Sequence, residues 1–279
     1  MHSIPQLSST LSSSLTSLSL LSTIIPVKTT LLNEILSTLP SLTHLELKET
    51  GERDLDELRD VLHDCTPKLE SLVVTGLVWY RTFSQPSDSK APPFLRHLNI
   101  TARFVPFESG SRFSKPEIWA RREIEAWVQV LEWTKECPLE SLLLNKATAT
   151  FDTREVNAEV RKFIDALLES AQSSGSPYRS ALKRLTIGGV ALDDTLMKEI
   201  ITSFRNLDRL GFAIAGRDAE ELKRLTRILR KAKNLRTLHD FGSASTGTKR
   251  LTLERINYIF ERLSRLTSLY IGQNPVFWR

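Results

Sequence analysis

The stretch most suggestive of chemistry is Gly242-Ser-Ala-Ser-Thr-Gly247-Thr-Lys249-Arg250. Glycines, hydroxyls and a lysine between a strand and a helix are the ingredients of a phosphate-binding loop. In such a loop, backbone N–H groups and the lysine cradle a nucleotide. The loop needs its lysine directly after the second glycine, and then a hydroxyl for magnesium. Here Thr248 precedes Lys249, and Arg250 stands where the hydroxyl is required. The residue types fit nucleotide chemistry and their order does not.

The five histidines do not assemble a metal site. His44 and His97 hold the same place in units two apart. Neighbouring strands lie about 4.8 Å apart, so the two rings start about 10 Å apart. Zinc needs its ligands about 2 Å from one centre. Cys65 and Cys137 fall in Cys-Thr-Pro and Cys-Pro contexts before strands of different units, and they read as buried small apolar residues. The sequence has no nucleophile elbow, no His-Glu-x-x-His and no carboxylate pair that spacing alone would join. We expect no enzymatic activity, no cofactor and no metal.

A basic stretch, Lys223, Arg224, Arg227, Arg230, Lys231, Lys233 and Arg236, could touch nucleic acid. It lacks the interleaved aromatics on which bases stack, and it belongs to a helix that is apolar on one side. The expectation is a solvated face and no nucleic-acid partner. The net charge of +5 is unevenly spread. From Tyr178 onward there are 20 Lys/Arg against 10 Asp/Glu, and before it 18 against 23. Such a gradient favours an acidic partner at the C-terminal part.

The elements that must position these residues follow from a repeated phrase, Leu-x-x-Leu-x-Leu. It recurs at Leu15/Leu18/Leu20, Leu42/Leu45/Leu47, Leu69/Leu72/Val74, Leu95/Leu98/Ile100, Leu139/Leu142/Leu144, Leu182/Leu185/Ile187, Leu207/Leu210/Phe212, Leu235/Leu238 and Leu266/Leu269/Ile271. The starts are 27, 27, 26, 44, 43, 25, 28 and 31 residues apart, which signals about nine stacked strand-plus-helix units. Apolar residues two apart in a strand share one face. Between phrases, apolar residues at helical spacing predict helices near Thr30–Leu39 (capped by Thr29), Pro116–Glu136, Arg154–Gln172, Asp194–Phe204, Ala219–Lys231 and Thr252–Leu263. Pro40 ends the first of these, and Pro67, Pro93 and Pro138 recur at the same place before a phrase.

Strands joined by helices in this order predict an α/β solenoid, with a parallel sheet on the concave side and helices on the convex side. One continuous domain over 1–279 is expected, with long insert-bearing repeats at about 95–138 and 139–181. Arg81–Pro93, Phe104–Lys115 and Ser173–Pro177 read as loops. Three tryptophans, Trp119, Trp127 and Trp133, on one helix read as filling a wider core. No apolar run approaches the roughly 20 residues that span a bilayer, so no membrane partner is expected. Met1–Pro26 lacks a cation before its apolar part, and its leucines alternate with serines. That argues against a signal peptide and, with only two cysteines, predicts a cytoplasmic or nuclear setting.

The outward strand positions are then the working surface: His44, Glu46, Lys48, Ser71, Val73, His97, Asn99, Ser141, Leu143, Arg184, Thr186, Arg209, Thr237, His239, Ser268 and Tyr270. Of these, His44, Glu46, His97, Asn99, Arg184, Arg209, His239 and Tyr270 are the candidate partner-binding residues. The basic and aromatic ones toward the C-terminus suit anchoring of an acidic or carboxyl-bearing partner.

Phrases such as Leu39-Pro-Ser-Leu-Thr-His-Leu-Glu-Leu47 and Phe204-Arg-Asn-Leu-Asp-Arg-Leu210 resemble the leucine-rich repeats of the ribonuclease-inhibitor-like group. They look especially like the divergent repeat domains of fungal F-box proteins. The resemblance covers nearly the whole chain. Its fullest match is Leu266-Thr-Ser-Leu-Tyr-Ile-Gly-Gln-Asn274-Pro-Val276, in which Asn274 stands where the family's asparagine caps the turn after the strand. Thr50, Leu77, Arg103 and Ala147 replace it elsewhere. The resemblance implies a non-catalytic protein-interaction scaffold of the kind that recognises substrates for an F-box-type ubiquitin ligase. A Skp-type adaptor would bind only through an F-box elsewhere, since Leu31–Pro40 is followed at once by a strand phrase. The last unit has only Phe277 and Trp278 to cover it, which suggests a fragment, a degenerate copy or pairing through an end. The alternatives are a GTPase-activating repeat protein, using Arg103 or Arg217, and a small-ligand receptor with a pocket under the long loops.

Overall fold

The structure is a computed structural model. It describes residues 13–21, 29–48, 55–77, 90–102, 116–146, 157–172, 181–190, 192–214, 218–241, 251–271 and 274–276. Each phrase becomes a strand: β1 (Ser17–Leu21), β2 (His44–Lys48), β3 (Ser71–Leu77), β4 (His97–Ala102), β5 (Ser141–Lys146), β6 (Arg184–Ile187), β7 (Arg209–Phe212), β8 (Thr237–Asp240) and β9 (Ser268–Ile271). These nine are parallel and lie side by side in chain order. A short β10 (Asn274–Val276) turns back and pairs antiparallel with β9.

The register is set by the leucines. Leu18, Leu45, Leu72, Leu98, Leu142, Leu185, Leu210, Leu238 and Leu269 pair in one unbroken row across the sheet. From Leu45 to Leu269 every member of that row is buried. A slip of one residue in any strand would turn its whole apolar set outward, so the row fixes the pairing.

Seven helices alternate with the strands among the described residues: α1 (Thr29–Ser37), α2 (Leu55–Cys65), α3 (Pro116–Thr134), α4 (Asn157–Gln172), α5 (Asp194–Ser203), α6 (Ala219–Leu229) and α7 (Leu253–Arg262). Their apolar stripes (Leu32 and Leu36 of α1, Phe163 and Ile164 of α4, Leu222 and Leu225 of α6) join the strand leucines in one core. The last three helices begin at side-chain caps. Asp193 accepts the Leu196 N–H at 2.8 Å, Asp218 and Glu221 form a reciprocal capping box, and Thr252 accepts from Arg255. Trp127 and Trp133 are buried, and Trp127 meets Phe163 of α4 edge to face at 5.7 Å between ring centroids. These two tryptophans of the long unit serve its core.

Several sequence expectations are corrected. Helix α2 was not anticipated, because its interior is dense in charge (Asp56, Glu57, Arg59, Asp60). Five of the other helices are shorter at one or both ends than their apolar spacing suggested, while the expected start of α4 at 154–156 lies outside the described residues. Phe204 and Leu263 are C-caps, Thr252 is an N-cap, α3 stops at Thr134, and Thr29 lies inside α1. Asn274 is a strand residue paired with Ile271. The following Pro275, lacking an N–H, suits a short sheet edge. Cys65 is only half-buried, and its thiol donates to Asn33 Oδ1 at 2.8 Å. Cys137 is buried.

Just before β3 to β8 runs a second row, Glu70, Arg96, Glu140, Lys183, Asp208 and Arg236. From Arg96 onward each residue's N–H donates to the carbonyl of the one before it at 2.8 to 2.9 Å. Charge alternates along this row. Side chains stacked at strand spacing would repel if alike, so alternation makes the neighbouring units compatible. Glu140 bridges Arg96 at 2.9 Å and Lys183 at 2.8 Å. Those two partners hold its carboxyl below the usual range, Lys183 most strongly.

Candidate functional site

With the helices on one side, the other face of the sheet is left to the alternate strand residues. Two rows run across it. The first is His44, Ser71, His97, Ser141, Arg184, Arg209, Thr237 and Ser268; the second is Glu46, Val73, Asn99, Leu143, Thr186, Gly211, His239 and Tyr270. Every sequence-chosen candidate falls on one of them.

The first row carries two histidines and two arginines, the histidines set apart by serines and the arginines side by side. Ser71 lies between His44 and His97, and Ser141 between His97 and Arg184. Serines this short let the longer side chains influence one another across a strand. Burial first, and then the positive charge of Arg184, His44 and Arg96, push the His97 pKa down, although Glu140 works the other way. Folding therefore favours neutral His97, and lowering the pH below the ordinary value of 6.5 charges it at a cost to the native state.

The second row changes character along its length. At its start Glu46 is already engaged: it accepts from Ser19 Oγ at 2.8 Å and pairs with Lys48 at 2.7 Å, and both hold its carboxyl low. At the far end the row becomes aromatic. His239 packs against Tyr270 at 5.2 Å between ring centroids and against Phe241 at 3.9 Å. The Arg209 guanidinium lies over the Tyr270 ring at 6.0 Å. Arg209, His239, Tyr270 and Phe241 are each half-buried, so the cluster is packed and still reaches solvent. Arg184 beside Arg209 is exposed.

Beneath this cluster, Gly211 makes the room. A Cβ on Gly211 would sit 2.8 Å from Thr186 Oγ1 and 2.9 Å from the Phe241 ring. The absence of a side chain in β7 lets Phe241 fold over the sheet. It also lets Thr186 fill the gap, which is why Thr186 is buried, contrary to its expected place on the working surface. Phe241 and Gly211 were missed by the sequence reading. Both were findable: Phe241 is two residues past His239 and so faces the same way, and Gly211 interrupts a row of larger side chains.

Arg184, Arg209, His239 and Tyr270 are thus brought together. Glu46 lies seven strands from Tyr270, roughly 30 Å at ordinary strand spacing, and belongs to a different part of the face. His44 shares β2 with Glu46, and His97 and Asn99 lie between, in β4. Among the described residues no group of three or more His, Cys, Asp or Glu could hold a metal, and no helix is long and apolar enough to cross a membrane. The phosphate-loop-like stretch 242–250, Arg103, Arg217 and the loop stretches 81–89, 104–115 and 173–177 lie outside the described residues. Phe277 and Trp278 do too. No family model matches the chain, and no curated protein matches it.

Proposed function

We propose that this chain is a leucine-rich-repeat scaffold, without catalysis of its own, that binds a protein partner on the helix-free face of its sheet. The observation that carries the reading is the cluster of Arg209, His239, Tyr270 and Phe241 on that face, beside Arg184. Aromatic and arginine side chains held in place by packing lose little freedom on binding, and such residues dominate interface energetics. The pairing of cations with ring faces suits a partner segment that carries a carboxylate next to an apolar or aromatic side chain. The in-register leucine row and the alternation of strand and helix support the repeat assignment. Substrate recognition for an F-box-type ligase rests on the resemblance of the repeats to those of fungal F-box proteins.

Affinity purification from native cells, followed by mass spectrometry, tests both. The pair Arg184→Glu and Arg209→Glu should remove the main partner, and Tyr270→Ala should weaken it at least about tenfold. Full retention of every co-purified protein by the double variant would overturn the placement. Recovery of a Skp-type adaptor would support the ligase reading.

A further inference from the structure

We infer a second binding site, on the helix side of the molecule, for a compact dianion of the phosphate-monoester type. A cavity of about 280 Å³ opens between the turn that follows α6 and the turn that follows α7. Arg230, Lys233, Arg262 and Arg265 line it, and the lining contains no carboxylate. Its floor is apolar, built from residues such as Leu229 and Leu263. Cations at helix ends usually serve to cap orphan carbonyls. Here the carbonyls are mostly satisfied already. Leu229 O accepts from Ala232 N–H at 3.0 Å, Ala232 O from Leu235 N–H at 3.2 Å, and Leu263 O from Leu266 N–H at 2.8 Å. Of the four lining cations Arg265 acts as a cap, donating to Lys233 O at 2.8 Å, and Arg236, outside the lining, donates to Arg265 O at 3.4 Å. Arg262 is instead held over the Tyr258 ring at 5.4 Å, and it adds to the positive field at Lys223.

Four like charges around one small cavity repel one another. An anion seated among them removes that repulsion. Two of the four, Arg262 and Arg265, are already fixed in place by Tyr258 and the Lys233 carbonyl, so they need little ordering to bind. Arg230 and Lys233 are exposed and able to close over the ligand. A doubly charged, compact oxyanion matches this geometry better than a single carboxylate, because it offers several acceptors to separate donors. This site shares no lining residue with the aromatic cluster.

The test is calorimetric titration and thermal unfolding of the full chain with inorganic phosphate, with O-phosphoserine, and with acetate and chloride at matched ionic strength. Phosphate and phosphoserine should each bind and raise the unfolding temperature, and acetate and chloride should do so much less. A clear preference for phosphoserine over inorganic phosphate would assign the site to a phosphorylated side chain, and equal binding would assign it to free phosphate. Arg230→Ala with Lys233→Ala should weaken binding at least about tenfold, whereas Lys231→Ala, outside the lining, should leave it unchanged. All three positions are exposed, so the variants should fold. Equal stabilisation by all four anions, or undiminished phosphate binding by the double variant, would overturn the inference.

Discussion

The Lys183 ammonium lies 2.8 Å from the Glu140 carboxylate across the start of two neighbouring strands, with Arg96 at 2.9 Å on the carboxylate's other side. One acid thus joins three consecutive units at their exposed rim, while Leu98, Leu142 and Leu185 join the same units inside. The interior row provides most of the energy, and the charged row makes a shift of register costly.

Replacing Glu140 by Lys places three cations in succession at strand spacing. Exposed pairs are worth little singly, so Glu140→Gln should cost under about 1 kcal/mol and Glu140→Lys about 1–2 kcal/mol. The Glu140 pKa is lowered from 4.5 in the folded chain, so its contribution is complete above that value and is lost as pH falls through the lowered one. Urea midpoints measured between pH 7 and pH 3 should therefore converge for wild type and Glu140→Gln at the acid end. A difference that persisted unchanged at pH 3 would exclude the ionised carboxylate as its source.

The leucine row should show graded costs. Leu142 is fully buried at the middle of the sheet, and its replacement by Ala removes a side chain that cannot be replaced by water or by collapse of flanking units. Leu18 occupies the same row in the edge strand β1 and is only partly buried. Leu142→Ala should cost about 3–5 kcal/mol and Leu18→Ala about 1–2 kcal/mol. Equal losses in denaturant titrations would show that β1 is packed as fully as the interior.

How much of this was readable beforehand follows from the same physics. The strands were legible because period-two leucines recur at a fixed offset from a turn, and this placed every row of the helix-free face in its right register. Helix α2 was not legible. Its buried Leu58, Val61 and Leu62 are embedded among acids and Arg59, which dilutes the apolar stripe. The aromatic cluster was half legible. Arg209, His239 and Tyr270 follow from strand parity, whereas Phe241 lies just beyond the strand phrase and depends on a missing side chain one strand away. The antiparallel return of β10 had no signal, since three residues carry no periodicity.

Gly211 should tolerate no side chain of ordinary size. Its Cβ would approach both Thr186 and the Phe241 ring more closely than real contacts allow, so one of them must move. Gly211→Ala should cost about 1–2 kcal/mol, and Gly211→Leu about 2–3 kcal/mol, by overpacking. The second effect is the more diagnostic. Phe241 should leave His239, and partner binding should fall even in variants that remain folded. Combining Gly211→Ala with Thr186→Ser, which removes the Thr186 methyl that the new Cβ would approach at 2.9 Å but keeps the hydroxyl, should recover part of the stability.

Asp240 tests whether a buried polar side chain can be structural. It stands in the inward row occupied elsewhere by Leu47, Val74, Ile100, Leu144, Ile187 and Phe212, and it is wholly buried. An apolar residue there would match the pattern, yet the Ile214 N–H donates to Asp240 Oδ1 at 2.8 Å. Ile214 follows β7, so the Asp240 side chain ties the exit of one unit to the strand of the next. Asp240→Leu would restore the apolar row and leave a buried N–H without its acceptor, at a cost of about 1–3 kcal/mol beyond any packing change. Asp240→Asn keeps an acceptor of the same shape and should cost less. If calorimetry found Asp240→Leu as stable as wild type, the hydrogen bond would be dispensable and the residue a mere break in the row. A loss confined to Asp240→Leu, together with faster amide exchange at Ile214, would establish that the acid is there to anchor the turn.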